Sequence, residues 1–306
     1  MTTSAIRTTL LILAALALLA VAANAQAPPD FSKVEIKTTK VGSNFYTLEG
    51  QGGMIGVLTG PDGTLMVDSQ FAPLTDKIVA AIHQISNGPI RFMINTHVHP
   101  DHTGGNENLG KMGVTIFSRE ELRDRLAQPV PPAGANPGRP PMPHAALPLI
   151  TYRGRTTFHM NGEDVDLFPI ARAHTDGDTL VRFKNVDVLM TGDYYRSVGY
   201  PNIDRANGGS LNGMLEGLGV TIGLAGPNTK IIPGHGPTVD RMAIIAHRDM
   251  ILAVRDQVAK LVQQGKTAEE TLAAHPTSDY DSKVPQAKET SDRFVGQLYA
   301  ELKPVK

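Results

Sequence analysis

Within Asn95-Thr96-His97-Val98-His99-Pro100-Asp101-His102, three histidines and an aspartate fall inside six residues. Imidazole nitrogen and carboxylate oxygen are the donors that divalent transition ions take where no thiolate is offered. A spacing of two aims His97 and His99 the same way on extended backbone. Pro100 then breaks the extension, so that Asp101 and His102 turn toward a second point. One segment thus serves two metal ions. Three further candidates, His174, Asp193 and His235, each follow a β-prone run: Ile170 to Ala173, Val186 to Met190 and Lys230 to Ile232. Gly192 beside Asp193 and Gly234 beside His235 let the backbone come close to a ligand. A histidine standing alone is more often a satisfied core residue, but seven donors gathered at strand ends form a ligand set.

The elements that must position these residues are legible in the hydrophobic pattern. Short β-prone runs at Val34 to Lys37, Phe45 to Glu49, Met54 to Thr59 and Thr64 to Asp68 are separated by Gly52-Gly53 and Pro61-Asp62-Gly63 turns. Leu74 to Ile85 has helical spacing, and Ile90 to Ile94 is a buried strand that ends just before the histidine cluster. Ser118, with Glu121 three residues on, predicts a capped helix to Leu126. Proline-rich residues 129–148, with His144 among them, predict a long irregular loop, either lid or surface wrap. Strands follow at Thr156 to His159, Val165 to Ile170, Leu180 to Phe183 and Val186 to Met190, with a turn at Lys184-Asn185. Helical stretches at Leu211 to Leu224, Arg241 to Gln264 and Ser291 to Leu302 complete the pattern, with a strand at Lys230 to Ile232. Two strand-rich halves, each followed by helices, predict an α/β protein with two sheets packed face to face and helices outside.

Twenty-nine basic against 30 acidic residues leave no broad field to draw the chain to nucleic acid, so a small-molecule substrate is expected. Residues 1–25 read as a secretory signal: Arg7, an apolar run from Leu10 to Ala22, and Ala23-Asn24-Ala25 before cleavage at Gln26. That run is shorter than the roughly 20 residues of a membrane span, so no stable span is expected once the signal is removed. A periplasmic or secreted domain over residues 26–306 is the expectation. With no cysteine in the chain there is neither a disulfide nor a thiolate ligand.

The order His-x-His-x-Asp-His, Ala-His-Thr-Asp-Gly-Asp-Thr, Thr-Gly-Asp and Pro-Gly-His-Gly resembles the metallo-β-lactamase superfamily over nearly the whole mature chain. The resemblance implies a four-layer αβ/βα sandwich of two mixed sheets with helices on the outer faces. It implies that His97, His99 and His174 hold one metal, that Asp101, His102 and His235 hold the other, and that Asp193 bridges them. Asp68 looks like that family's aspartate that orients the ligands. Five imidazoles and two carboxylates suit two zinc ions, with iron, manganese or cobalt as substitutes.

Two such cations would make hydroxide available near neutral pH, with Asp101 orienting it or carrying its proton. The segment Leu189 to Arg196 resembles the one in which cysteine-bearing metallo-β-lactamases place their cysteine, with Asp193 in that position. Arg196, three residues on, then stands where a cation would pair with a β-lactam carboxylate, and Asn202 is a further candidate substrate contact. Tyr194 or Tyr195 is a candidate donor to a lactone carbonyl, as in the quorum-quenching lactonases. The expectation is therefore a zinc hydrolase opening an amide or ester bond, a β-lactam-type ring first. A lactonase or thioester hydrolase of the same superfamily is the alternative, and an inactive metal-binding or sensor protein a third reading. Gly52-Gly53-Met54 is expected at a hairpin tip flanking the metals, as a tight turn or an apolar flap.

Overall fold

The computed structural model describes residues 30–132 and 137–304; the signal-like segment, with Gly134 and Asn136, lies outside them. Residues Phe31–Lys33 form a single 3-10 turn that Asp30 caps. From Glu35 onward the chain is one compact unit.

Its first sheet has seven strands in sequence order: β1 (Lys37–Lys40), β2 (Phe45–Glu49), β3 (Ile55–Leu58), β4 (Thr64–Val67), β5 (Ile90–Ile94), β6 (Thr115–Arg119) and β7 (Ile150–Tyr152). The antiparallel hairpins end at β4, and β4 to β7 run parallel. Helix α1 (Thr75–Ile85) crosses from β4 to β5. Short helices α2 (Pro100–Thr103) and α3 (Asn106–Lys111), then α4 (Glu120–Ala127) after β6, make the next connections. The second sheet is β8 (Thr156–Met160), β9 (Glu163–Pro169), β10 (Thr179–Phe183), β11 (Val188–Met190) and β12 (Lys230–Ile232). It is antiparallel up to β11, with β12 parallel to β11. Helix α5 (Leu211–Leu224) lies between β11 and β12, and α6 (Arg241–Gln263), α7 (Ala268–Ala273), α8 (Ser278–Asp281) and α9 (Ala287–Leu302) follow. No helix among the described residues is long and apolar enough to cross a membrane.

Strand alternation decides what each face packs against. Val181, Val188, Met190 and Ile232 turn inward and meet Phe45, Leu58, Val67 and Ile94 of the first sheet in one buried cluster. Their neighbours Leu180, Leu189 and Ile231 turn outward, to Leu211 and Met214 of α5, Ile251 and Val254 of α6, and Phe294 of α9. The result is an α/β sandwich of two mixed sheets, as the sequence pattern predicts.

Several local expectations are corrected. The first strand begins at Lys37, not Val34. Ser118 caps no helix: its backbone belongs to β6, in register with Thr151 of β7, and α4 starts at Glu120 after Arg119, which makes no side-chain cap. Pairing of Phe117, Ser118 and Arg119 with β7 carries the strand past the capping signal. The proline-rich loop is a wrap where it is described. Val130 and Arg139 form an isolated bridge, and Met142 and Leu147 pack onto Val98, Leu122 and Leu126. His144 opens a 3-10 turn that Asn106 Nδ2 anchors at the Ala146 carbonyl (3.2 Å).

Phe183 joins the two sheets. It is fully buried, its ring centroid 4.4 Å from that of Phe45. Phe183→Ala is expected to cost about 3–5 kcal/mol, read as a lower urea midpoint with an unchanged slope.

Candidate metal centre

Strand direction explains why residues so far apart in sequence meet. β9, β11 and β12 all point the same way, because β10 is antiparallel to both β9 and β11. His174, Asp193 and His235 leave the exit ends of these three strands, and His97 to His102 leave the exit of β5. Donor atoms of His97, His99 and His174 lie within 4.8 Å of one another, as do those of His97, His102 and Asp193, and those of Asp101, His102 and His235. All seven residues singled out in the sequence are therefore in one cluster.

Two glycines make the approach possible. Gly192 has φ +57°, and a Cβ on Gly234 would fall 2.0 Å from Asp193 Oδ1. The Gly52-Gly53 tip is tied down rather than free: Gly53 N donates to the Asp101 carbonyl (3.0 Å), Met54 N to Gly234 (2.8 Å), and Gln70 Nε2 to the Gly53 carbonyl (2.7 Å).

Four of the five rings, those of His97, His99, His102 and His174, are held by the outer nitrogen, and these partners assign the tautomers. His102 Nδ1 meets Asp68 Oδ2 at 2.7 Å. Thr96 Oγ1 donates to the same oxygen at 2.6 Å, so at 3.1 Å it accepts from His97 Nδ1. His174 Nδ1 donates to the Asn202 carbonyl at 2.6 Å, and His99 Nε2 to Asp204 Oδ2 at 2.7 Å. The inner nitrogens of His97, His99 and His174 are left as acceptors. His174 Nε2 and His99 Nδ1 face each other across 2.9 Å, an arrangement that repels unless positive charge stands between them. His97 Nε2 is buried with no hydrogen-bond partner. Asp193 reaches both groups, Oδ2 lying 3.9 Å from His174 Nε2 and Oδ1 3.2 Å and 3.3 Å from His102 and His235 Nε2. Three unprotonated imidazoles, two carboxylates and two imidazoles whose protons a metal can replace, all converging, fit divalent cations.

Electrostatics agree. Burial alone would raise the Asp193 carboxyl, yet the charge of His102 and hydrogen bonds from His102 and His235 hold it well below the carboxylate range. Asp101 is held at about 2, against burial, chiefly by His235, whose Nε2 lies 3.1 Å from Oδ2. Asp204, half-buried, is lowered against burial by its bonds to His99 and Asn207.

Asp204 was not flagged by the sequence. Its only local signal is a turn cap, Oδ1 accepting from Asn207 N at 3.1 Å. Asp68 joins Thr96 to His102. Arg196 stands beside the centre, Nε 4.0 Å from Asp193 Oδ2. Tyr194 is buried under it, with its hydroxyl on Thr221 Oγ1 at 2.7 Å, and Tyr195 lays its ring edge-on to His247. Asn202 serves His174 through its carbonyl, while its Oδ1 accepts from Gln297 Nε2 at 2.8 Å.

Residues 49–235 match the family model of the metallo-β-lactamase superfamily, and the chain belongs to that superfamily. Among solved structures it is similar to a metallo-β-lactamase from Pontibacter korlensis, with 18% identity and a TM-score of 0.56 over 70% of this chain and 99% of that one. It is also similar to the stereoselective inverting sec-alkylsulfatase Pisa1 from Pseudomonas sp., with 16% identity and a TM-score of 0.62 over 89% of this chain and 52% of that one. A curated relative, a linear primary-alkylsulfatase from Pseudomonas sp., is 32% identical over 77 residues, which are 23% of this chain and only 15% of that enzyme's length.

Asp68→Ala strips three donors, Thr96 N, Thr96 Oγ1 and His102 Nδ1, of their acceptor. Metal affinity is expected to fall about 10–100-fold, measured by competition with a chromophoric chelator.

The histidines also predict a pH profile for chelator-treated protein. Burial lowers His97 well below 6.5, and lowers His174 and His247 to about 4. From pH 4 to 6.5 the unfolded chain therefore binds protons that these three do not, and stability rises with pH. Asp178, raised by burial to about 7, opposes this as a single group. Above 6.5 the sign reverses. His102 and His235 are lowered by burial but raised further by Asp68, Asp193 and Asp101, so they keep protons that the unfolded chain has lost. The urea midpoint of chelator-treated protein is expected to peak near pH 6.5, and bound metal, replacing those protons, should abolish the alkaline decline.

Proposed function

We propose that this superfamily member is a binuclear zinc hydrolase that opens an amide or ester bond in a small anionic molecule, a β-lactam-type ring first. The observation that carries the reading is the inward convergence of seven donors, with His97 Nε2 buried and without a hydrogen-bond partner. His97, His99 and His174 would hold one ion, and Asp101, His102 and His235 the other. Asp193, with one oxygen toward each set, would serve both. Bound there, the ions supply a water deprotonated near neutral pH and a Lewis acid for the scissile group.

The chain's own residues supply the rest. Asp101 is ionised at neutral pH and is the ligand carboxylate most open to solvent, 24% exposed against 6% for Asp193, which suits it to take the proton of the attacking water. Gly53 and Met54, tied to Asp101 and Gly234, hold one wall of the site in place. Arg196, beside the shared carboxylate, is the cation placed to orient an anionic substrate. The lactonase alternative has less support, because the Tyr194 hydroxyl is bonded to Thr221 and the Tyr195 ring packs on His247. A purely sensory role has less support still, since all seven candidate ligands are present and converge. A signal-like start favours work in the periplasm or outside the cell.

A second reading, sulfate-ester hydrolysis, is favoured by the identity shared with the linear primary-alkylsulfatase. It uses the same ligands and the same Arg196.

The test is hydrolysis by purified, metal-loaded protein of nitrocefin, an acyl homoserine lactone, a thioester and an alkyl sulfate in parallel. Nitrocefin turnover that disappears on chelation and returns with zinc is expected. Turnover confined to the alkyl sulfate would replace the first reading by the second, and turnover that persists after verified metal removal would overturn the mechanism.

A further inference from the structure

Beside Arg196, on the side of the C-terminal helices, lies a cavity of about 380 Å³ that shares only Arg196 with the hydrolytic reading. Its floor follows from helical spacing. Ala243, Ala246, His247 and Met250 stand three and four residues apart on α6 and share one face. Val284 and Pro285, in the connection from α8 to α9, form a second apolar wall. Tyr195 and Arg196, directly after the ligand Asp193, form the third.

Three residues bring polar groups to this cavity: His247, Arg196 and Lys283. His247 Nε2 is buried with no hydrogen-bond partner, and nothing at the metal centre explains it. Arg196 Nε is likewise buried and without a hydrogen-bond partner. Unsatisfied buried nitrogens are uncommon, because each gives up its water without replacement. Arg196 Nε turns to Asp193 Oδ2 at 4.0 Å, whereas the fold supplies His247 Nε2 with no partner, and both residues line this cavity, where a ligand can meet them. Lys283 adds a second cation, while no aspartate or glutamate lines the cavity among the described residues. The polar groups thus call for an anion that also accepts or donates a hydrogen bond, and the alanine, valine, proline and methionine walls call for an apolar body. The volume is at the small end of the range for ligand pockets.

We propose that this cavity is a binding site for a small amphipathic monoanion: a carboxylate held by Arg196 and Lys283 and bonded to His247, with an apolar chain of six to eight carbons along Met250 and Val284. Burial keeps His247 neutral at pH 7, so its ring contacts the head group as a hydrogen-bond partner rather than a third charge. The site stands whatever bond the metal centre cleaves. Because Arg196 also flanks Asp193, an occupant here shares one guanidinium with the hydrolytic site.

Octanoate titrated calorimetrically into metal-loaded, full-length protein tests it without any turnover. One saturable site per chain is expected, and acetate, which has the head without the chain, should bind at least tenfold more weakly. Ala246→Trp, from an exposed position on α6, plugs the cavity with little burden on folding, and His247→Phe removes the nitrogen. Each should raise the octanoate Kd at least tenfold with metal content unchanged. No saturable binding by the wild type, an unchanged Kd in both variants, or acetate binding as tightly as octanoate would each overturn the proposal; the middle outcome would place the carboxylate on the metals instead.

Discussion

The carboxylate of Asp68 is the point on which the centre hangs. It leaves β4 in a left-handed conformation, φ 62°, that non-glycine residues seldom adopt, and its own N–H is tied to the Ile94 carbonyl at the exit of β5. From there one oxygen accepts from Thr96 N at 2.7 Å, and the other from Thr96 Oγ1 and the His102 ring. Three donors on one buried anion fix the exits of two neighbouring parallel strands to each other. They also set the orientation of His102 directly, and that of His97 through the threonine hydroxyl. Local strain at such a residue persists only where its surroundings over-determine it, and here the sheet and the histidines both do.

The same logic runs outward through the other rings. The Asn202 carbonyl and the Asp204 carboxylate hold His174 and His99 by the nitrogens that face away from the centre. Both partners come from the loop that follows Asp193. Arg125 of α4 reaches that loop at Asn207 Oδ1 and also pairs with Asp176 two residues past His174. The binding atoms are thus aimed before any cation arrives, which lowers the ordering cost of capture. The layer that aims them is polar, largely withdrawn from solvent and hydrogen-bonded, so removal of one member leaves others unpaired.

What the sequence disclosed follows from what kind of constraint was acting. The seven candidate ligands were legible because each chemistry needs its residue type, and because strand-terminal positions announce themselves by the hydrophobic run before them. The long elements were legible for the same reason: Ile90–Ile94, Leu211–Leu224 and Lys230–Ile232 stand where periodicity puts them. Ser118 was misread because a local capping pattern competes with a ladder formed to Ile150–Tyr152, more than 30 residues away, and the ladder wins. Asp204 was invisible because its function depends on a ring 105 positions earlier, while its immediate neighbours show only a turn. The tyrosines after Asp193 were conspicuous by position, yet which way a side chain points from a 3-10 turn is set by packing against α5 and α6.

Each group of donors draws on both sheets: His97 and His99 meet His174, and Asp101 and His102 meet His235. A cation bound between them is therefore a cross-link between the two layers of the sandwich, not an ornament on one. Neither half of the chain offers a complete pocket, so the ions can enter only after the layers have closed. Contacts between residues this distant in sequence form slowly. Newly made chains would then pass through a compact, metal-free stage in which the seam is joined by apolar contacts such as Phe45 on Phe183. Free metal in the compartment would act as a thermodynamic latch, adding about 2.7 kcal/mol for each site when present at a hundred times its Kd. How long the protein survives among proteases would accordingly track the supply of metal as well as the sequence.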